Sequence, residues 1–128
     1  MPSKLSFLNL HLQCRLWIAE LNGDINMLRI YHDYLQELSD KSDQQELKKD
    51  ITRFEQIFPA LRKEIDDLKN EMHLLKMKFA AYVRENKPYD KAVYKSTSYD
   101  SLEDRFAEFS KKFEKLRKEL GKLEASYS

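Results

Sequence analysis

The stretch ELKKDITRFEQIFPALRKEIDDLKNEMHLLKMKFAAYVREN, residues 46–86, decides the fold of this chain. Its apolar residues recur at alternating steps of four and three: Leu47, Ile51, Phe54, Phe58, Leu61, Ile65, Leu68, Met72, Leu75, Phe79 and Tyr82. This alternation is the a/d pattern of a coiled-coil-like helix. About forty residues at 1.5 Å each predict a helix about 60 Å long, which needs partner helices along its apolar side.

Pro59 lies in the middle of this stretch. An interior proline removes one backbone hydrogen bond and clashes with the carbonyl group four residues earlier, here that of Glu55. The apolar pattern nevertheless keeps its phase through Phe58 and Leu61, on both sides of the proline. The sequence therefore predicts one continuous helix over about residues 43–86, with a kink at Pro59.

Two further helices are predicted on either side of it. The first covers about residues 6–38 and has this apolar stripe: Leu10, Cys14, Trp17, Leu21, Ile25, Leu28, Tyr31, Leu35 and Leu38. The last covers about residues 99–127 and has this one: Leu102, Phe106, Phe109, Phe113, Leu116, Leu120, Leu123 and Tyr127. Short connections between long helices favour antiparallel neighbours. We therefore expect one all-α domain over residues 1–128, an antiparallel up-down-up three-helix bundle with a non-helical connection at 86–98.

Composition excludes several classes of protein. Lys+Arg 23 and Asp+Glu 22 give a net charge of +1, which argues against a dedicated nucleic-acid binder. The single Cys14 cannot form an internal disulfide, so a reducing, cytoplasmic location is predicted. We find no signal-peptide pattern, and charged residues interrupt every apolar segment before it reaches the length of a membrane span.

Three motifs resemble a group of small, functionally uncharacterised helical proteins common in Bacteroidetes bacteria. The first motif is W-I-A-E-L-x-x-D, with Trp17, Glu20, Leu21 and Asp24. The second is F-E-Q-I-F-x6-I-D-D-L-K-N-E, with Phe54, Phe58, Ile65, Asp66, Leu68, Lys69 and Glu71. The third is F-x-x-F-x-x-x-F-x-x-L-R-x-E-L, from Phe106 through Arg117 to Leu120. The resemblance implies an all-helical bacterial protein of the cytoplasm and implies no activity.

The N-terminal half of the first helix is apolar on more than one side, which is typical of a helix buried on several sides. We predict that a second copy of the chain covers the extra surface, in a homodimer. The candidate partner-binding residues are Leu5, Leu8, Leu12, Leu16, Trp17 and Ile18. Trp17 has two interpretations, a core residue or a partner anchor, and the burial habits of aromatic side chains favour the core.

No cofactor, metal or catalytic site is predicted. His11 and Cys14 lie on one helical face but lack further ligands, and the Glu-x-x-His pairs of bundle metal sites are absent. No Ser-His-Asp set or phosphate-binding loop occurs either. We therefore expect a non-enzymatic structural or protein–protein interaction protein, whose partner the sequence does not identify.

A nucleic-acid-binding module is the alternative hypothesis. The segment 84–99 interleaves basic and aromatic residues, a pattern that can hold phosphates and stack bases: Arg84, Lys87, Tyr89, Lys91, Tyr94 and Lys95. Glu85 and Asp90 dilute its charge, and the tyrosines could instead pack on the bundle.

Overall fold

The computed structural model describes residues 6–127, which form four α-helices and no strand. These are α1 (Phe7–Lys41), α2 (Gln45–Arg84), α3 (Lys91–Lys95) and α4 (Tyr99–Tyr127). The all-α fold class expected from the sequence is therefore confirmed. None of the helices in this part of the chain combines the length and the apolar character that spanning a membrane requires.

α1 begins where Ser6 caps it. The Ser6 hydroxyl accepts a hydrogen bond from the Asn9 N–H at 3.0 Å, which satisfies one of the free donors of the first turn. The helix ends at Lys41, three residues beyond the expected boundary. The connection to α2 is correspondingly short, residues 42–44, so the two helices lie side by side.

α2 runs through Pro59 without a break. The proline ring is exposed, while Phe58 and Leu61 on either side of it are buried. The side chains next to the proline keep the helix against its neighbours, because their burial continues the seam through this turn. The buried residues of α2 are Leu47, Ile51, Phe54, Phe58, Leu61, Ile65, Leu68, Met72, Leu75 and Phe79.

Polar contacts give the relative directions of the long helices. Between α1 and α2, His11 Nδ1 lies 3.2 Å from the carbonyl oxygen of Lys76, and Gln36 donates to Glu55 at 2.8 Å. Three ion pairs join α2 and α4: Glu71 with Arg105 (2.7 Å), Glu64 with Lys112 (2.9 Å) and Arg53 with Glu119 (3.1 Å). In both sets one residue number falls as the other rises, so α2 runs opposite to α1 and α4.

The connection between α2 and α4 corrects the expected non-helical segment. Residues Lys91–Lys95 form the short helix α3. The Asp90 carboxylate caps it by accepting hydrogen bonds from the backbone N–H groups of Ala92 (2.8 Å) and Val93 (3.1 Å). A capped single turn carries too few residues to show a helical period, which is why the pattern search missed it.

The core is entirely apolar among the described residues: no polar or charged residue is buried there. Its α4 side consists of Tyr99, Leu102, Phe106, Phe109, Phe113, Leu116, Leu120 and Leu123. Aromatic contacts join the helices, such as Tyr31 of α1 with Phe113 of α4, whose ring centroids lie 6.2 Å apart. The fold is therefore held mainly by apolar burial, and the ion pairs lie at its margins.

Candidate functional site

The first half of α1 exposes a line of leucines on the side opposite its buried seam. Leu8 is 50% exposed, Leu12 43% and Leu16 63%. Successive members lie four residues apart, so each advances the helical position by only about 40° and the three form a single row. Isolated exposed leucines are ordinary, whereas a row of three adjacent ones is a contiguous apolar patch.

The other candidate partner-binding residues do not share this surface. Trp17 is buried, and its ring lies 4.8 Å from Tyr99 and 5.9 Å from Phe106, centroid to centroid. Ile18, one turn after Cys14, is buried as well. A partner cannot contact either side chain without displacing α4 or opening the bundle. Trp17 and Ile18 are therefore excluded from the candidate interface. Leu5 lies outside the described residues.

The row continues along α1 as far as Tyr34, with some of its members half-buried. After Leu16 the same side of the helix carries Ala19, Gly23, Met27, Ile30 and Tyr34 at steps of three and four. Ile30 is 55% exposed, while Met27 and Tyr34 are half-buried against the edge of the core. We call the full set the outer stripe: Leu8, Leu12, Leu16, Ala19, Gly23, Met27, Ile30 and Tyr34.

Our sequence analysis missed the C-terminal half of the outer stripe. It recognised a second apolar side only in the N-terminal half of the helix and did not assign Ile30 to any surface. The signal was present, because the steps from Leu12 to Tyr34 are four, three, four, four, three and four. Two apolar periods on opposite sides of one helix are typical of a helix with neighbours on both sides.

Gly23 lies in the open part of this surface. A β-carbon placed on it would meet no atom within 4 Å, so nothing in its own chain needs the missing side chain. Glycine inside a helix costs about 1 kcal/mol relative to alanine. The open space at Gly23 leaves room for another backbone to approach closely, because the glycine has no β-carbon.

A second, smaller exposed apolar patch lies on α2. Leu74 is 68% exposed and Met77 64%. They lie three residues apart on the side of α2 that faces away from its buried seam, among charged neighbours such as Lys78. Two residues do not extend into a stripe, which makes this pair a useful control surface.

The tyrosines of segment 84–99 pack on the bundle. Tyr89 lies 5.8 Å from Phe7 and 6.0 Å from Tyr94, and Tyr94 lies 5.6 Å from Tyr99, all between ring centroids. The Tyr94 hydroxyl also donates to the Asp100 carboxylate at 2.5 Å. Burial and this hydrogen bond raise the pKa of Tyr94. The neighbouring rings therefore cover part of each tyrosine, which reduces the aromatic surface that a nucleobase could stack on.

The basic residues of the same segment stay exposed. They are Arg84, Lys87, Lys91 and Lys95. The Lys87 ammonium lies 5.3 Å from the centroid of the Tyr82 ring, a cation–π distance. The segment therefore presents dispersed positive charge beside tyrosines that neighbouring rings partly cover.

The histidines and the cysteine have structural surroundings. Cys14 is fully buried, and this burial raises the pKa of its thiol to about 11, against the opposing effect of Lys76. His32 lies 3.8 Å from Asp33 on the surface of α1. Within residues 6–127, no three His, Cys, Asp or Glu side chains are grouped as metal ligands.

Among the acidic side chains of α1, Asp24 is the one whose pKa is clearly shifted. Burial, and next the charge of Glu20, raise the pKa of its carboxyl to about 6, against the opposing effect of Arg117 on α4. Arg117 also donates to the Tyr31 hydroxyl at 3.4 Å. Asp24 thus lies at the α1–α4 margin, between the buried seam and the outer stripe.

A shallow groove of about 320 Å³ lies between α1 and α2 beside the proline. Phe58 and Pro59 form its apolar floor, and Arg29, His32 and Arg62 lie along its rim. Arg62 already pairs with Asp66 at 3.2 Å. Glu55 also lines the groove and accepts a hydrogen bond from Gln36 at 2.8 Å.

No protein-family model matches the sequence. Neither a curated protein nor a solved structure matches it significantly. Function is therefore inferred from the geometry of the described residues.

Proposed function

We propose that this chain is a structural or protein–protein interaction protein that self-associates through the outer stripe of α1. The observation that supports this is the exposed row of Leu8, Leu12 and Leu16, which continues to Ile30. Monomeric proteins rarely leave an extended apolar surface in water, because covering it lowers the free energy by about 25 cal/mol per Å². A second copy supplies an identical stripe and needs no other partner.

We infer that α1, α2 and α4 act as one coiled-coil-like, up-down-up three-helix bundle that carries this stripe on a rigid rod. The order of the interhelical ion pairs supports antiparallel packing, and the alternating seam of α2 supports the coiled-coil-like description. A rigid helix is a suitable scaffold for an interface, because little side-chain or backbone freedom is lost on binding. A bacterial cytoplasmic location, and a protein partner other than a second copy, stay predictions.

The mass of the full-length protein in solution tests the proposal. We expect light scattering to show a dimer at micromolar concentration. The triple variant Leu8→Gln, Leu12→Gln, Leu16→Gln should be monomeric and should keep the helical circular dichroism of the native protein. It loses three exposed apolar side chains and no buried one.

The double variant Leu74→Gln, Met77→Gln is the matched control. It removes two side chains of similar or greater exposure from α2 and should stay dimeric. A full-length protein that is monomeric throughout the micromolar range would refute self-association. A triple variant that stays dimeric would show that the dimer uses another surface.

A further inference from the structure

The outer stripe is symmetric about Gly23. Three pairs of its residues lie at equal sequence distances before and after this glycine: Leu12 and Tyr34 (eleven residues), Leu16 and Ile30 (seven), Ala19 and Met27 (four). Because an α-helix rises 1.5 Å per residue, the two members of each pair lie equally far from Gly23 along the axis. A second copy that runs in the opposite direction would place each of these six residues opposite its counterpart.

We propose that the chain forms an antiparallel two-fold dimer in which the outer stripe packs against that of a second copy, with the axis beside Gly23. This inference rests on the proposed self-association and adds the orientation of the partner. It places Leu12 against the partner's Tyr34, Leu16 against the partner's Ile30, and Ala19 against the partner's Met27. Gly23 then lies against the partner's Gly23, as an isologous interface requires.

The sizes of the side chains fit this pairing. Ala19 is the smallest stripe residue after Gly23, and it meets the long, flexible Met27 of the partner. The two glycines meet at the centre, where open space surrounds each one in its own chain. Without β-carbons the two backbones can approach closely at that point. A parallel pairing would instead set Ala19 against alanine and Met27 against methionine, which makes the helix separation uneven.

Charge along one margin of the stripe is complementary in the antiparallel arrangement. Arg15 and Asp33 are both exposed and lie eighteen residues apart, which is five helical turns, so they flank the stripe on the same side. In the antiparallel dimer, Arg15 comes within one turn of the partner's Asp33, and symmetry repeats the contact. In a parallel dimer the two-fold axis would run along the helices, so Arg15 would instead face the opposite margin of the partner helix, which carries Glu20.

The opposite margin contributes no attraction. It carries Glu20 and Asp24, and the antiparallel pairing brings Glu20 within one turn of the partner's Asp24. Asp24 is half-buried and is influenced by Arg117 of its own chain, which lessens the repulsion. Orientation is therefore set by the apolar pairs, and the charges on the two margins do not decide it.

Disulfide cross-linking tests the orientation directly. Leu16→Cys and Ile30→Cys each place a thiol on an exposed position of the stripe, and the buried Cys14 stays out of the reaction. We expect a mixture of the two variants, under mild oxidation, to give at least about fivefold more covalent dimer than either alone, because pairing holds the two thiols together. Leu74→Cys is the control, since it is equally exposed on α2 and should link to neither variant.

Each other outcome overturns a defined part of the inference. Linkage of Leu16→Cys to itself would show a parallel dimer and would overturn the antiparallel orientation. A protein that is dimeric by light scattering but links in no combination would overturn the stripe-to-stripe contact, while self-association would stand. A full-length monomer would overturn both proposals.

A pair of glycine variants tests the position of the axis. Gly23→Lys fits within its own chain, because the site is open, but it would set two ammonium groups against each other on the axis. We expect roughly 100-fold weaker association, since like charges in an interface cost several kcal/mol. Gly121→Lys is the matched control, because that glycine also lies in a helix with open space around it. Equal association of both variants with the native protein would overturn the proposed axis.

Discussion

Helices α1 and α4 bury one apolar seam each, but their opposite faces differ completely. The outward face of α4 carries exposed charged residues: Asp104, Lys111, Lys115, Lys118 and Lys122. The outward face of α1 carries the outer stripe instead. Burial in the bundle therefore accounts for the full apolar content of α4 but for only part of that of α1. A helix with a polar outer side has its apolar surface covered within one chain. A helix that is apolar on both sides is typical of one with a second neighbour.

The polar contacts that α1 and α4 make with α2 differ as well. α4 is joined to α2 by three ion pairs, and the Arg105–Glu71 pair is the shortest at 2.7 Å. Between α1 and α2, the polar side-chain contacts are Gln36 to Glu55 and His11 to a backbone carbonyl. α4 thus resembles a helix whose neighbours are all within its own chain.

The largest expected change in stability comes from a mutation on the inner face of α4, compared with one on the outer face of α1. Phe109→Ala should lower the free energy of unfolding by about 3–5 kcal/mol, because the ring is buried and packs against Phe113 at 5.9 Å. Leu16→Ala should change it by less than about 0.5 kcal/mol in the monomer. Urea unfolding at a protein concentration below self-association measures both. Equal losses would mean that Leu16 belongs to the folded core and does not lie on an outer face.

The two glycines compare the outer faces of α1 and α4 directly. Gly23→Ala and Gly121→Ala should each raise the free energy of unfolding of the monomer by about 0.5–1 kcal/mol, because alanine favours helix and neither site has a close neighbour. Only Gly23→Ala should also weaken self-association, as measured by sedimentation equilibrium. A destabilised monomer in either variant would show that the glycine has an intramolecular role.

Removal of the shortest ion pair should have a smaller effect. Arg105→Met should lower the free energy of unfolding by about 0.2–1 kcal/mol, since both partners are nearly half exposed and water screens them. Lys111→Met is the control: it removes a charge from the outer face of α4, where its contact to Glu108 is long at 3.8 Å. Melting temperatures of the two variants at low and high salt show how much of each loss is electrostatic. A loss in the control as large as in Arg105→Met would argue against a margin held by charge.

The smallest expected effect depends on pH. The pKa of Asp24 is about 6 in the folded chain and near 3.8 when unfolded, so the folded state binds this proton more tightly. Its contribution therefore favours folding below pH 4 and is lost as the pH rises towards 6. Asp24→Asn should raise stability at pH 7 by less than about 1 kcal/mol, because the group is partly exposed. Melting temperatures at pH 4 and 7 test this, and the gain should vanish at pH 4.

The helical seams could be predicted from the sequence because they depend on local periodicity. Every seam residue assigned to α2 from Leu47 to Phe79 is buried, and Tyr82 at its end is half-buried. The same argument located the seam of α4. Periodicity is a property of neighbouring turns, and three long helices of similar length leave few other ways to bury it.

The candidate surface was only partly predictable. Phe7 is buried against Tyr82, 4.8 Å away between centroids, and Trp17 against Tyr99. Both contacts join residues far apart in the sequence, so no local pattern could show that these two side chains are covered while Leu16 is not. Helix α3 depends on the Asp90 cap, a single side chain that is informative only once the position of the turn is known.

The buried thiol of Cys14 also allows the opening of the helices to be measured from its rate of chemical modification. Thiol reagents attack the deprotonated sulfur, and here burial both blocks their approach and keeps the proton in place, with a pKa of about 11. Modification can proceed only when α1 separates from the helices that cover it and the sulfur becomes exposed to solvent. The half-life of thiol labelling under native conditions therefore reports how often α1 opens locally, with no probe added to the protein.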